Sequence, residues 1–235
     1  MLVAAGFCPH PPLLVPRIGS GAAGNLRALR DACDGAVAPL VRAEPDIVLI
    51  VGGGKRAARW SDGDGGSLGG FGMDLVVPLA GPVRVGRDRM PLSLTIGAWL
   101  LARSGYRGER LAFSVPAGAD AEDLAGWADQ IADLGDRLAL LVMGDGSARR
   151  TEQAPGYLDS RAVPFDDRVA AALGNGNPAA LRRIDPDLAS ALLAAGGAPW
   201  RLAGWVGGDD RFDARLLYHD APYGVGYLVA SWWRG

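Results

Sequence analysis

His10 sits in Cys8-Pro9-His10-Pro11-Pro12, directly after a short apolar segment. Prolines on both sides stiffen the backbone, and a stiff loop presents an imidazole at little entropic cost. An imidazole so placed suits a metal ligand or an acid–base group; it equally suits a hydrogen-bonded structural histidine. Cys8 either points to the same place or is a buried, inert thiol. Gly52-Gly53-Gly54-Lys55 combines backbone amides with an ammonium, a pairing that can cradle an anion. Its spacing is not that of a phosphate-binding P-loop, and close packing is the other reason for such glycines. In Gly144-Asp145-Gly146-Ser147, Asp145 reads as a general base or as a turn-former, with Ser147 beside it. Arg149 and Arg150 suit a clamp on a carboxylate or phosphate, or a solvated surface pair. Tyr223, in the turn Pro222-Tyr223-Gly224, is a further candidate for ligand contact. His219 and Asp220 adjoin, but neighbours on an extended strand face opposite ways and do not act together. Trp232 and Trp233 divide likewise, one ring to the core and the other to a contact surface.

These residues need elements to hold them. Leu2 to Phe7 reads as a strand. Asn25 to Val41 reads as an amphipathic helix with Leu26, Leu29, Cys33, Val37 and Leu40 on one face. Ile47 to Val51 and Leu138 to Met143 are continuous apolar runs, the pattern of strands buried on both faces. Further strands are predicted over Leu75–Leu79, Arg110–Val115, Leu216–His219 and Gly226–Ser231. Helices are predicted over Leu92–Ser104, Asp120–Leu134, Asp166–Leu173, Pro178–Arg183 and Leu188–Ala195. Residues 61–72, rich in Gly, Ser and Asp, read as a flexible loop. Thr151 to Phe165 reads as an irregular connection. Strands alternating with helices imply an α/β fold: a central, mainly parallel or mixed sheet with helices on both faces. Ligands in such sheets bind beyond the carboxyl ends of the strands, where His10, Gly53–Lys55, Asp145, Ser147 and Arg149 all fall.

The bulk properties exclude whole classes. The 235 residues show no composition shift or long linker, so residues 1–235 are read as one domain. Apolar residues make up 49% and charged residues 21%, enough for a buried core, and the net charge of −2 does not mark a nucleic-acid binder. Two cysteines make no disulfide framework, and reduced thiols point to the cytoplasm. Prolines break the apolar N-terminus, so no signal peptide is expected, and no apolar run reaches the length of a membrane span. With two histidines in all, no mechanism needing several can operate.

Several of these motifs carry a family resemblance. Cys8-Pro9-His10-Pro11-Pro12-Leu13-Leu14 resembles the opening of the class III extradiol ring-cleaving dioxygenases of the LigB type. That family includes protocatechuate 4,5-dioxygenase β subunits and, more distantly, Memo-like proteins. Gly144 to Arg149, followed by Ala154-Pro155-Gly156-Tyr157 and Pro164-Phe165-Asp166, is similar to its middle motif. Tyr218-His219 through Pro222-Tyr223-Gly224-Val225-Gly226-Tyr227 is similar to its closing strand pair. The resemblance implies the α/β fold of the extradiol dioxygenase catalytic chain, and non-haem Fe(II) held by two histidines and a glutamate. Such a triad leaves open positions on the iron for a catecholate and dioxygen. His10 matches the first iron histidine. Gly52-Gly53-Gly54 stands where the second belongs. No glutamate occupies Gly196 to Trp200, Asp209, Asp210 and Asp213 do not fit its place, and the proton-transfer histidine is replaced near Ala148-Arg149.

The leading expectation is therefore a divergent family member without the standard iron site. It would bind a small anionic or aromatic ligand in a strand-end pocket formed by Cys8, His10, Gly53, Lys55, Asp145, Ser147, Arg149 and Tyr223. One alternative is an active metal-dependent ring-opening dioxygenase with a rearranged site, His10 joined by His219 and Asp145. Another is a non-catalytic subunit or interaction protein, as a homo-oligomer or with a partner chain.

Overall fold

The computed structural model describes residues 1–18, 26–86 and 88–234. In chain order the first half comprises β1 (Leu2–Cys8), α1 (Arg27–Arg42), β2 (Ile47–Gly54), β3 (Ala58–Trp60), β4 (Gly65–Ser67), β5 (Val76–Pro78), α2 (Leu92–Arg103) and β6 (Glu109–Pro116). The second half comprises α3 (Ala121–Ala132), β7 (Leu138–Met143), α4 (Ala162–Gly174), α5 (Pro178–Arg182), α6 (Pro186–Ala191), α7 (Gly197–Val206), β8 (Asp213–Asp220) and β9 (Tyr227–Trp233).

Seven strands form one sheet in the order β3-β6-β2-β7-β1-β9-β8. Its central four, β6, β2, β7 and β1, run parallel, and β3, β9 and β8 add antiparallel. The fold is thus α/β with a mixed, mostly parallel sheet. Side chains alternate across it, as the two-residue period of a strand requires. Phe7, Leu49, Val51, Leu140, Val142 and Trp232 face α3, α4 and α7 on one side. Cys8, Val48, Ile50, Leu141, Met143 and Val229 face α1 and α2 on the other. Full burial of each large aliphatic or aromatic side chain contributes about 1.5–3 kcal/mol, so both layers are needed to outweigh chain entropy. The apolar stripe of α1 packs as its spacing predicts, with Leu29, Cys33, Val37 and Leu40 at most 1% exposed; the predicted start at Asn25 lies outside the described residues. α2 approaches the sheet closely at Gly97, where a Cβ would come within 2.5 Å of Ile50 Cγ2.

The structure departs from the sequence expectations at several places. Residues 61–72 are not a simple loop: β4 pairs antiparallel with β5, and a 3-10 turn follows at Gly69–Phe71. β2 continues through Gly52–Gly54 because its parallel partner β6 extends alongside to Pro116. α4 begins at Ala162, inside the segment read as irregular; Pro164 falls in its first turn, where a missing N–H costs nothing. The helix expected over Leu188–Ala195 is the shorter α6. α7 was not expected, and burial of Trp200 and Leu202 holds it in place despite its Gly-Ala-Pro start. Among the described residues no helix is long and apolar enough to cross a membrane.

Candidate functional site

A cleft of about 610 Å³ opens at the carboxyl ends of the parallel strands. Such a volume lies within the usual range for small-molecule sites. His10 enters it from the loop after β1, Gly53, Gly54 and Lys55 from the end of β2, and Ser114 from β6. Pro91, Leu92 and Ser93 bring the first turn of α2 to its wall. Hydrogen bonds lock these pieces together. Ser93 Oγ donates to the Gly53 carbonyl at 2.7 Å, Trp60 Nε1 donates to Ser114 Oγ at 3.2 Å, and Ser114 Oγ donates to the Arg56 carbonyl at 2.9 Å. Gly52 fits there because a Cβ would lie 2.6 Å from Ser93 Oγ. The glycines of β2 thus admit α2 to the sheet edge. The chain then turns into β3 rather than a helix, so the phosphate-loop reading does not describe this segment.

The cleft is basic on its rim and apolar on one wall. Lys55, Arg56 and Arg89 are exposed around it; Arg56 is ion-paired with Asp88. Lys55 and Arg89 make no ion pair among the described residues, leaving two uncompensated cations. Trp60, Pro91 and Leu92 supply a surface for an apolar body.

Asp145 stands behind His10 rather than in the cleft lining. Its Oδ1 accepts the His10 backbone N–H at 2.8 Å and lies 3.5 Å from His10 Nδ1. Nδ1 is buried without a hydrogen bond of acceptable geometry, while another part of the ring lines the cleft. A proton on Nδ1 is favoured by the carboxylate, which leaves Nε2 as the acceptor.

The other sequence candidates lie elsewhere. Cys8 does not reach the cleft: it is 1% exposed in the α1-side core, against Cys33. The Cys33 thiol is pushed well above its ordinary range, first by its hydrogen bond with Cys8 and then by burial. Ser147 is fully buried and structural: its Oγ donates to the Leu192 carbonyl and accepts from Arg149 N, each at 3.1 Å. Arg149 is half-buried outside the cleft, with Nε unpartnered. Tyr223 packs against the α1-side core, and its hydroxyl is also unpartnered. Burial, aided by the nearby Asp145 charge, drives the Tyr227 phenol strongly upward, so it stays protonated.

Ser147 and Arg150 instead build an internal polar knot. Asp166 on α4, 0% exposed, accepts from Ser147 N and from Arg150 Nη1, each at 2.8 Å. Gly226 is required beside it, since a Cβ there would sit 2.1 Å from Asp166 Oδ2. Burial raises the Asp166 carboxyl above its ordinary range, against the lowering effects of Ser147 and Arg150. His219 Nε2 lies 3.6 Å from Asp167 Oδ1 and is not paired with Asp220, whose carboxylate accepts from Ala221 N.

For iron, the donor set does not fit. Among the described residues no group of three or more His, Cys, Asp or Glu is placed to hold a metal ion. His219, beside Asp167 on the β8 edge, does not join His10 and Asp145 in the rearranged triad. The sequence reading missed Arg56, Trp60, Arg89 and the start of α2 as cleft residues. Only the proline before Leu92, a helix-start signal, hinted that a helix end would be there.

A scan against protein-family models finds no match, and a search of curated proteins finds none. Among solved structures, the chain is similar to the uncharacterized protein JW3007 from Escherichia coli K12, at 13% identity and a TM-score of 0.52. That match covers 97% of this chain and 99% of the other. At such identity the likeness concerns the fold alone.

Proposed function

We propose that the protein binds a small anionic, ring-bearing molecule in the His10 cleft, with the His10–Asp145 pair as a proton acceptor toward it. The observation that carries the reading is one imidazole at the mouth of a cleft with two uncompensated cations, Lys55 and Arg89, on its rim. The cations favour a carboxylate, and the Trp60–Leu92 wall favours a flat body. The motif resemblance to extradiol dioxygenases supports an aromatic ligand, without supplying the iron site that ring cleavage would need. The two free, buried thiols support a cytoplasmic setting.

Calorimetric titration with 3,4-dihydroxybenzoate and with uncharged catechol tests this. The carboxylate compound should bind more tightly, and Lys55→Ala and Arg89→Ala should each weaken it roughly tenfold. His10→Gln should shift the proton uptake measured in buffers of different ionisation heat. Equal affinity for both compounds, or none for either, would refute the reading. Formation of a yellow ring-fission product after anaerobic Fe(II) loading would replace it with a dioxygenase.

A further inference from the structure

A second cleft, of about 650 Å³, lies at the opposite end of the sheet, between the last turns of α1 and the strands β1, β9 and β8. It is separated from His10 by the length of β1, roughly 20 Å at the rise of an extended strand. Its floor is the α1-facing side of β9, Ser231 and Trp233, with Val3 beside them. The register of β9 explains this: Tyr227 and Val229 fill the α1-side core, so Ser231 and Trp233, two and four residues on, face the same way. Gly35, Pro39 and Arg42 of α1 form one wall of the cleft, with Leu217 of β8 nearby.

Four guanidinium groups surround that floor: Arg42, Arg137, Arg215 and Arg234. Among the described residues no carboxylate side chain lines the cleft. Arg234 is tied to Asp210 and donates Nε to the Leu2 carbonyl. Arg137 is fixed differently. Its Nε donates to the Glu44 carbonyl at 3.1 Å and its Nη2 to that of Ala43, so neutral oxygens hold it and its charge is uncancelled. Arg42 and Arg215 make no ion pair among the described residues. One reason for Arg42 and Arg137 is local, since cations at the end of α1 complement its dipole. That does not account for Arg215, which comes from β8 and projects to the same cleft.

We propose that this cleft is a second ligand site, and that it takes a small phosphate ester carrying a flat ring, of the mononucleotide kind. The arginine forks match phosphate oxygens, and part of the ordering cost is already met because Arg137 and Arg234 are held by carbonyl groups. The half-buried Trp233 indole offers a face for the ring, and Ser231 a hydroxyl beneath it. The inference does not depend on the reading of the His10 cleft.

Calorimetry at low salt with adenosine monophosphate, inorganic phosphate, adenosine and hexaglutamate tests it on the full chain. The nucleotide should bind more tightly than either of its fragments, and Arg42→Ala and Arg215→Ala should each weaken it roughly tenfold or more. Both arginines reach solvent, so the melting temperature without ligand should stay unchanged, and His10→Gln should leave nucleotide affinity intact. Binding of the nucleotide no tighter than phosphate would show charge attraction alone and overturn the proposal. So would tighter binding of hexaglutamate, insensitivity to both arginine changes, or no binding at all.

Discussion

Arg150→Ala removes the side chain that, among the described residues, forms an ion pair with the solvent-sealed carboxylate of Asp166. Asp166 is 0% exposed and Arg150 Nη1 is 2.8 Å away, with the side chain of Arg150 itself 16% exposed. Breaking a buried ion pair by deleting one partner typically costs about 3–5 kcal/mol. Here Asp166 keeps the Ser147 N–H at 2.8 Å, and water can reach the space left by a partly exposed arginine, so about 2–3 kcal/mol is expected at pH 7. For a chain of this size that is a fall of roughly 5–10 °C in melting temperature. The pH dependence is the sharper test. The folded carboxyl titrates above its ordinary value of 3.8, so the folded chain holds this proton more tightly than the unfolded chain. Stability from this group is therefore highest in acid and falls as pH rises from 3.8 through the folded value. Without Arg150 the folded value moves further up and the fall with pH steepens. Melting curves of wild type and variant from about pH 4.5 to 8 should converge toward acid, and Asp166→Asn in the Arg150→Ala background should flatten the difference. A variant as stable as wild type at pH 7, or a deficit independent of pH, would refute the account of the knot.

Gly97→Ala tests the close approach of α2. Helix propensity alone would favour alanine by about 1 kcal/mol, but the Cβ meets Ile50 Cγ2 at 2.5 Å, and overpacking costs about 1–3 kcal/mol. A net loss of stability in urea titration is expected, and a gain would show that the helix can shift. Trp232→Ala should cost about 3–5 kcal/mol by the same measurement, since the ring is fully buried between Phe7 and Phe212 and its Nε1 donates to the Leu173 carbonyl at 2.6 Å. Asp120→Ala should cost about 1 kcal/mol, because the Asp120 carboxylate caps α3 by accepting from Asp123 N at 2.8 Å. Hydrogen exchange confined to the first turn of α3 would locate that loss.

The central strands were legible because β2 and β7 are apolar without interruption, a pattern that requires cover on both faces. The stripe of α1 was legible for the matching reason of period. Gly52–Gly54 misled because glycine has poor strand propensity by itself; β6 alongside imposes the extended form there. α7 was hidden by its Gly-Ala-Pro-Trp opening, and the contacts that fix it come from α3 and α5. In the cleft, His10, Gly53 and Lys55 share a wall as their strand-end positions imply. Ser147 and Cys8 sit at equally suggestive positions but turn inward. Arg89 and Pro91 come from a connection far along the chain, and no local signal places them near His10. The docking of α2 on β2, where Ser93 Oγ donates to the Gly53 carbonyl, does so.

The position of β1 between β7 and β9 also sets an order of events during synthesis. At typical elongation rates the ribosome needs on the order of ten seconds after making residues 2–8 to reach residues 138–143, and longer to reach 227–233. Throughout that interval the first strand, buried along its whole length in the finished sheet, has neither hydrogen-bonding neighbour. The nascent chain therefore carries an apolar, unpaired segment whose protection must come from α1 or from a chaperone, and both edges of β1 can be covered only after β9 has been made.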